Sequence, residues 1–277
     1  MAKGIGLIGN FKGKVGNMVG YKLSDSNTGN SQGIRVYQPI VKNPKTSAQA
    51  EQRAKLAPIN ATYRALKMII DRGNEGLPYG NKSRLAWLKQ AFKAEHMPWF
   101  VKGASVGMAV GCQLTKGSLA GVQFTVNGEQ LQITVLGVTD ETPLTTVGAL
   151  STALLSGYSQ LKAGDQITFV QISNGNGAIV TDIFSFVIDT TSTETIEGFE
   201  AGTATISVPS NFDLTAGSVI ISREGSNGEH LRSTSAIKIQ ASLLDAAPYN
   251  AASKAAAIES YMNSASANAD WAEESIQ

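Results

Sequence analysis

The sequence contains a single cysteine, Cys112, and only two histidines, His96 and His230. One thiol excludes an intrachain disulfide framework and a cysteine-built metal cluster. Two histidines, with no H-E-x-x-H spacing, exclude a histidine-rich metal site. No apolar run approaches the roughly 18–20 residues that a membrane-spanning helix needs. The opening "MAKGIGLIGNFKGK" lacks an apolar stretch followed by a small-residue cleavage site, so export by a signal peptide is not expected. Neither G-x-S-x-G nor G-x-x-x-x-G-K-[ST] occurs. Charged residues are scarce, at 16% against 42% hydrophobic, which excludes a globally disordered chain. What remains of reactive chemistry has plain structural readings. Cys112 reads as a small buried hydrophobe. His96 reads as a cation near a basic helix end, and Asp182 and Asp189 read as solvated acids on one strand. No catalytic residue, metal ligand or cofactor is expected, and the chain is not read as an enzyme.

Glycine, by contrast, is plentiful. Gly4, Gly6 and Gly9 spell G-x-G-x-x-G, the letters of a dinucleotide-binding loop. That loop needs a strand before it, a helix after it and an acidic residue about 20 positions on. Only three residues precede Gly4, no helical pattern follows until Thr46, and Asp25 sits in a turn-forming cluster. Gly13, Gly16 and Gly20 continue the series where the helix should be. The glycines instead suit strands that bulge or approach other backbone closely.

Residues 4–41 read as β, with "GNMVGYKL" and "GIRVYQPIV" as the arms of a hairpin about the turn-rich "SDSNTGNSQ". The segment 42–74 reads as a helix. Thr46 is the N-cap, with Gln49 three residues on, and Leu56, Ile59, Tyr63, Leu66 and Ile70 form its apolar face. Pro58 should kink or split it. A second helix over 82–96 carries Leu85, Leu88 and Phe92, flanked by Trp87 and Ala91. After residue 103 short strands dominate: a hairpin about Asn127-Gly128, a strand–turn–strand over 165–189, and strands at 203–209, 217–224 and 230–240. Residues 145–162 read as a helix weakened by Gly and Thr, and 250–277 as an Ala-rich terminal helix. The expected class is α+β: an N-terminal β-hairpin and two-helix module (1–102), an antiparallel Ig-like β-sandwich (103–245), and a C-terminal helix or arm (246–277).

Charge divides along the same line. Residues 1–102 carry a net +12 and residues 103–277 a net −11. Such asymmetry points to a polyanion or to a complementary protein surface. The basic side chains gather around the first strands and the start of the first helix. Lys12, Lys14, Lys22, Arg35, Lys42, Asn43, Lys45, Gln49, Arg53 and Lys55 are the candidate contact residues, interleaved with Tyr21 and Tyr37. Three readings stay open: phosphate contacts, a solvated basic face, and docking on an acidic protein surface such as the acidic half of another copy.

The stretch "GKVGNMVGYK…IRVYQPIVKNPKTSAQAEQRAK" resembles the start of an uncharacterised family of Bacteroidetes and their phages, with its "GxxGNxVxY" strand and "KNPKTxAQxxQR" helix start. "DQITFVQIS" and "AGSVIISREGSNGEHLRSTSAIKI" are similar to that family's later strands. The chain departs from the pattern in insertions around 112–162 and in its long terminal helix. The family carries no established activity, so the resemblance implies a setting rather than a site. That setting is a phage or prophage genome, with the protein in a virion or in host cytoplasm. The expectation is a non-enzymatic virion or assembly component whose partners are other copies of itself and other virion proteins, without a membrane. The alternative is a nucleic-acid-binding protein using the basic module.

Overall fold

A computed structural model describes residues 13–22, 32–37, 46–128, 130–175, 177–225 and 228–263. The chain falls into two compact units, 1–45 and 46–277.

In the first unit, β1 (Gly13–Val15), β2 (Met18–Lys22) and β3 (Gln32–Val36) form an antiparallel three-stranded sheet in that order. Gly16 turns β1 into β2 at φ +57°, a conformation that L side chains resist. The expected hairpin is the β2–β3 pair, Met18 opposite Val36 and Lys22 opposite Gln32. The glycines at 4, 6 and 9 lie outside the described residues.

The second unit begins with α1 (Ser47–Ala65), α2 (Lys67–Ile70) and α3 (Asn81–Ala91). Strands β4 (Gln113–Thr115), β5 (Phe124–Asn127) and β6 (Gln130–Thr134) follow, then α4 (Val147–Gly157). Next come β7 (Gln166–Gly175), β8 (Ala178–Val187), β9 (Glu200–Gly202), β10 (Thr205–Val208) and β11 (Ala216–Glu224). Three short strands, β12 (His230–Arg232), β13 (Ser235–Ala236) and β14 (Lys238–Ile239), lead to α5 (Ala251–Asn263).

Two antiparallel sheets dominate, ordered β5-β6-β10-β9 and β12-β11-β7-β8, with β14 also on β11. The fold is therefore α+β, as the sequence pattern implies. Strand alternation sends one face of β7 and β11 to each of two cores. Ile167, Phe169, Val219 and Ile221 meet Phe124, Leu131, Ile133, Ile206 and Val208 of the other sheet, with Leu150 and Leu154 of α4 in the same cluster. The two sheets thus lie sandwich-like, with α4 joining them. On the other face Val170, Ile172, Ala216 and Ile220 lie under the helices, against Ile59, Leu66, Ile70, Trp87, Ala91 and Ala257. The expected boundary at 102/103 falls inside this unit, because α1–α3 have no core of their own. Their apolar residues close on Val110, Cys112 and Leu114 just beyond α3 and on β7 and β11, which follow α3 by more than 60 residues.

Local signals hold at the helix starts. Thr46 caps α1, its Oγ1 accepting from Gln49 N at 3.3 Å, and Thr146 caps α4 in the same way from Ala149 N at 3.2 Å. Of the two expected effects of Pro58, a kink or a split, the split does not occur: α1 runs through it from Ser47 to Ala65. Pro58 is buried with Ala54, Ile59 and Thr62, and this packing outweighs one missing backbone hydrogen bond. The break comes at Leu66 (φ −109°, ψ 21°), between α1 and α2. Two expected core positions are corrected as well: Leu56 is 44% and Leu85 48% exposed. The buried stripe of α3 is instead Ser83, Trp87 and Ala91, with Ser83 Oγ donating to Ile70 O at 2.8 Å. In α1 the small Ala50 and Ala54 face inward, and Glu51 on the same helix bridges to Lys254 of α5 at 3.2 Å.

Candidate functional site

The candidate contact residues from the sequence do not gather on one described surface. Lys12, Lys42, Asn43 and Lys45 lie outside the described residues. Lys14 and Arg35 stand in one cross-strand row of the first unit, through Val19, and both are exposed. Lys14 Nζ sits 3.6 Å from the centroid of the Tyr37 ring. Lys22 pairs with Gln32 at the far end of β2. Gln49, Arg53 and Lys55 belong to α1 of the second unit. Gln49 supplies the backbone donor to the Thr46 cap. Lys55 is committed within the chain to Glu51, at 3.0 Å, and lies 5.8 Å from the Trp99 ring. The Lys55 hydrogen bond holds the Glu51 carboxyl below its ordinary range, against the opposing effect of burial. Arg53 is exposed and, among the described residues, makes no ion pair.

The remaining sequence candidates settle into structural roles. Burial pushes the Cys112 thiol up to about 12, which leaves it protonated and inert at neutral pH. His96 lies five residues beyond the last residue of α3, too far along the chain to cap that helix end as expected, and its backbone carbonyl accepts from Gly111 N at 2.8 Å. Asp182 lies on β8, but Asp189 lies past its end and accepts from Thr191 N and Oγ1 at 2.9 and 2.7 Å. Among the described residues no cluster of His, Cys, Asp and Glu could hold a metal ion, and no helix is long and apolar enough to cross a membrane.

Two features that the sequence reading did not single out stand open on the second unit. The first is the outer edge of β8. This strand ends its sheet, runs for ten residues without proline or lysine, and exposes Val180 (43%), Ile183 (40%) and Val187 (52%). Among the described residues no backbone hydrogen bond reaches it other than those from β7. Sheet edges of this kind are ordinarily shortened, charged or covered.

The second is a groove of about 1020 Å³ on the helix-side face of the same sheet, where the helices stop. Its floor is one cross-strand row, Val187–Gln166–Ser222–Arg232, followed by Glu224 opposite His230. Gln166 donates to Ser185 Oγ at 2.8 Å and accepts from Ser222 Oγ at 3.4 Å. The wall is the connection between α2 and α3, presenting Arg72, Leu77 and Tyr79. Glu75 fastens wall to floor, since its carboxylate accepts from Ser118 N (2.9 Å), Ser118 Oγ (2.8 Å) and Arg232 N (3.1 Å). Burial alone would raise the Glu75 carboxyl; these donors outweigh it and hold it below its ordinary range. Gly117 is required beneath this clamp, because a Cβ there would meet the Glu75 carboxylate at 2.6 Å and overlap the Arg232 carbonyl.

Charge in the groove is unevenly spent. Arg223 is bound to Asp165, which is 1% exposed, through Nε–Oδ1 and Nη2–Oδ2 contacts of 2.5 and 2.7 Å. Arg72 and Arg232 have no carboxylate partner among the described residues. Arg72 lies 5.2 Å from the Tyr79 ring. Burial, and after it the charge of Arg72, pushes the Arg232 guanidinium down, so the two cations feel one another. No family model, no curated protein and no solved structure matches the chain.

Proposed function

We propose that this is a non-enzymatic assembly protein that joins other chains by strand addition at β8. The setting of the family that its first block resembles makes a structural component of a phage particle the natural role. The observation that carries the reading is the free, apolar, ten-residue edge of β8. An incoming strand would satisfy its open row of N–H and C=O groups, while Val180, Ile183 and Val187 offer side-chain contacts that set register. The partner is a second copy of this chain or another particle protein.

Light scattering at micromolar concentration tests this directly. The wild-type chain is expected to be larger than a monomer. Val180→Lys with Ile183→Lys is expected to return it to a monomer of unchanged circular dichroism, since lysine is the usual protection of a sheet edge. A wild-type chain that stays monomeric, or an assembly indifferent to both lysines, overturns the reading. Mass spectrometry of purified particles then asks whether the chain is a stoichiometric component.

One observation favours nucleic acid as the second reading: the exposed row of Lys14 and Arg35 beside Tyr37 puts two cations and a ring on the same small sheet. Binding to mixed-sequence DNA that falls steeply with salt would place this reading first.

A further inference from the structure

We propose that the groove binds a small polyhydroxylated acid, a sugar that carries one carboxylate or one phosphate, with Arg72 and Arg232 receiving its anionic group. Arg72 is exposed on the wall, Arg232 is half-buried at the end of the floor row, and both line the groove. Asp165 occupies Arg223, and the Glu75 carboxylate is taken up by its three donors. Arg72 and Arg232 are the cations left over, and burial, followed by the charge of Arg72, pushes the Arg232 guanidinium down. Two like charges, one of them half-buried, repel until an anion joins them, and then both attract it. Each guanidinium offers a planar fork of donors that fits carboxylate and phosphate oxygens alike. Glu75 holds the wall to the floor, so the two cations are set in place before a ligand arrives.

The rest of the lining selects the body behind that anion. Gln166 and Ser222 stand beside Arg232 in the floor row. An amide and a hydroxyl both donate and accept, as a hydroxyl-bearing ligand requires. Leu77 (43% exposed) and Tyr79 (67%) form an apolar lip on the wall, and an aromatic face there suits the C–H face of a sugar ring. One row further along the strands the lining turns acidic. Glu224 stands opposite His230, Glu229 precedes that histidine, and all three are exposed. Among the described residues neither acid pairs with Arg72 or Arg232. Carboxylates accept from hydroxyls but repel a second anion. The groove therefore suits one charge on a neutral body and is unsuited to a polyphosphate or a nucleic-acid backbone. Its volume of about 1020 Å³ is at the top of the range for small-molecule sites, roughly 300–1,000 Å³. The site goes beyond strand addition at β8 and does not depend on it, since the groove variants below leave Val180 and Ile183 in place.

The test is ligand-observed NMR on the full-length chain with gluco, galacto and manno sugars, each as the uronate, the phosphate monoester and the neutral methyl glycoside. At least one uronate or sugar phosphate is expected to bind in the millimolar range. It should bind about fivefold more tightly than its neutral glycoside, and than inorganic phosphate or acetate alone. Binding of uronates without phosphates identifies a sugar acid, and the reverse a sugar phosphate. Arg72→Gln is expected to weaken the charged ligand about fivefold, and Arg232→Gln about tenfold because that guanidinium is half-buried. Arg72 is exposed, so Arg72→Gln keeps the fold even if Arg232→Gln does not. A counterpart of the best ligand with a second anionic group should bind about fivefold more weakly, and Glu224→Gln with Glu229→Gln should remove that difference. No binding by any charged sugar, equal binding of neutral glycosides, equal binding of phosphate or acetate alone, or binding indifferent to Arg72→Gln overturns the proposal. So does a doubly charged counterpart that binds as well as the singly charged one.

Discussion

One face of the β12-β11-β7-β8 sheet is two surfaces. Read along β7 from one end to the other, it presents Gln166, Thr168, Val170 and Ile172; along β11 it presents Ser222, Ile220, Ser218 and Ala216. The Val170 and Ile172 end lies under α1–α3 and α5 and is fully buried, while Gln166 is exposed in the groove. Backbone hydrogen bonding is the same throughout, so the strands do not distinguish the two halves. The cover does. Where helices exclude water, side chains are apolar or satisfied in pairs, as with Ser218 Oγ and Ser235 Oγ at 2.8 Å. Where they stop, the row turns polar and cationic. The groove is thus the part of the sheet that the helix layer leaves open, and its residues are free to serve recognition because they do not have to serve packing.

Exchanging the chemistry of the two halves tests this division most severely. Val170→Gln places an amide under the helices with no partner and too much volume; a loss of roughly 4 kcal/mol in chemical denaturation is expected. Cys112, in the same covered layer, gives a pH-dependent measure of how dry that layer is. Its folded pKa is raised, so the folded state holds the thiol proton more tightly than the unfolded chain does. Its contribution is therefore intact below the unfolded value of about 8.5 and declines by about 1.4 kcal/mol per pH unit above it, until the folded value of about 12. Thiol titration should find no reaction at pH 8 in the native protein and one equivalent after denaturation. The smallest effect belongs to the reciprocal exchange: Gln166→Val in the open half should change stability by about 0.5 kcal/mol or less. Equal losses for Val170→Gln and Gln166→Val would erase the distinction between the halves.

The elements were largely legible, because they rest on local chemistry. Thr46 and Thr146 cap the helices that follow them. Asn127-Gly128 turns the β5–β6 hairpin at a glycine with φ +59°, and the strand–turn–strand over 165–189 is β7 and β8. Which side of a helix faces inward was less legible. Leu56 and Leu85 fit the apolar spacing yet lie outside, because the helices approach their neighbours through Ala50, Ala54, Ser83 and Ala91, small residues that hydropathy undervalues. The groove was not legible at all. Arg72, Gln166, Ser222 and Arg232 come from three distant stretches: strand register brings the last three together, and the Glu75 clamp brings the wall with Arg72 beside them. The basic run of the N-terminal block drew attention because its charges are adjacent in sequence, whereas the two arginines left without a partner in the groove are 160 residues apart.

The dependence of α1–α3 on later strands also sets a timetable for synthesis. Ile59, Leu66 and Trp87 leave the ribosome well before Val170 and Ile220 exist to cover them. At about 5–20 residues per second, Ala91 precedes Ile220 by roughly 6–26 s. For that interval the helical segment can close only on Val110, Cys112 and Leu114, and the rest of its greasy stripe stays uncovered, a client for holding chaperones. Rare codons placed between 91 and 220 would lengthen the wait and lower the soluble yield without altering a single residue of the finished fold.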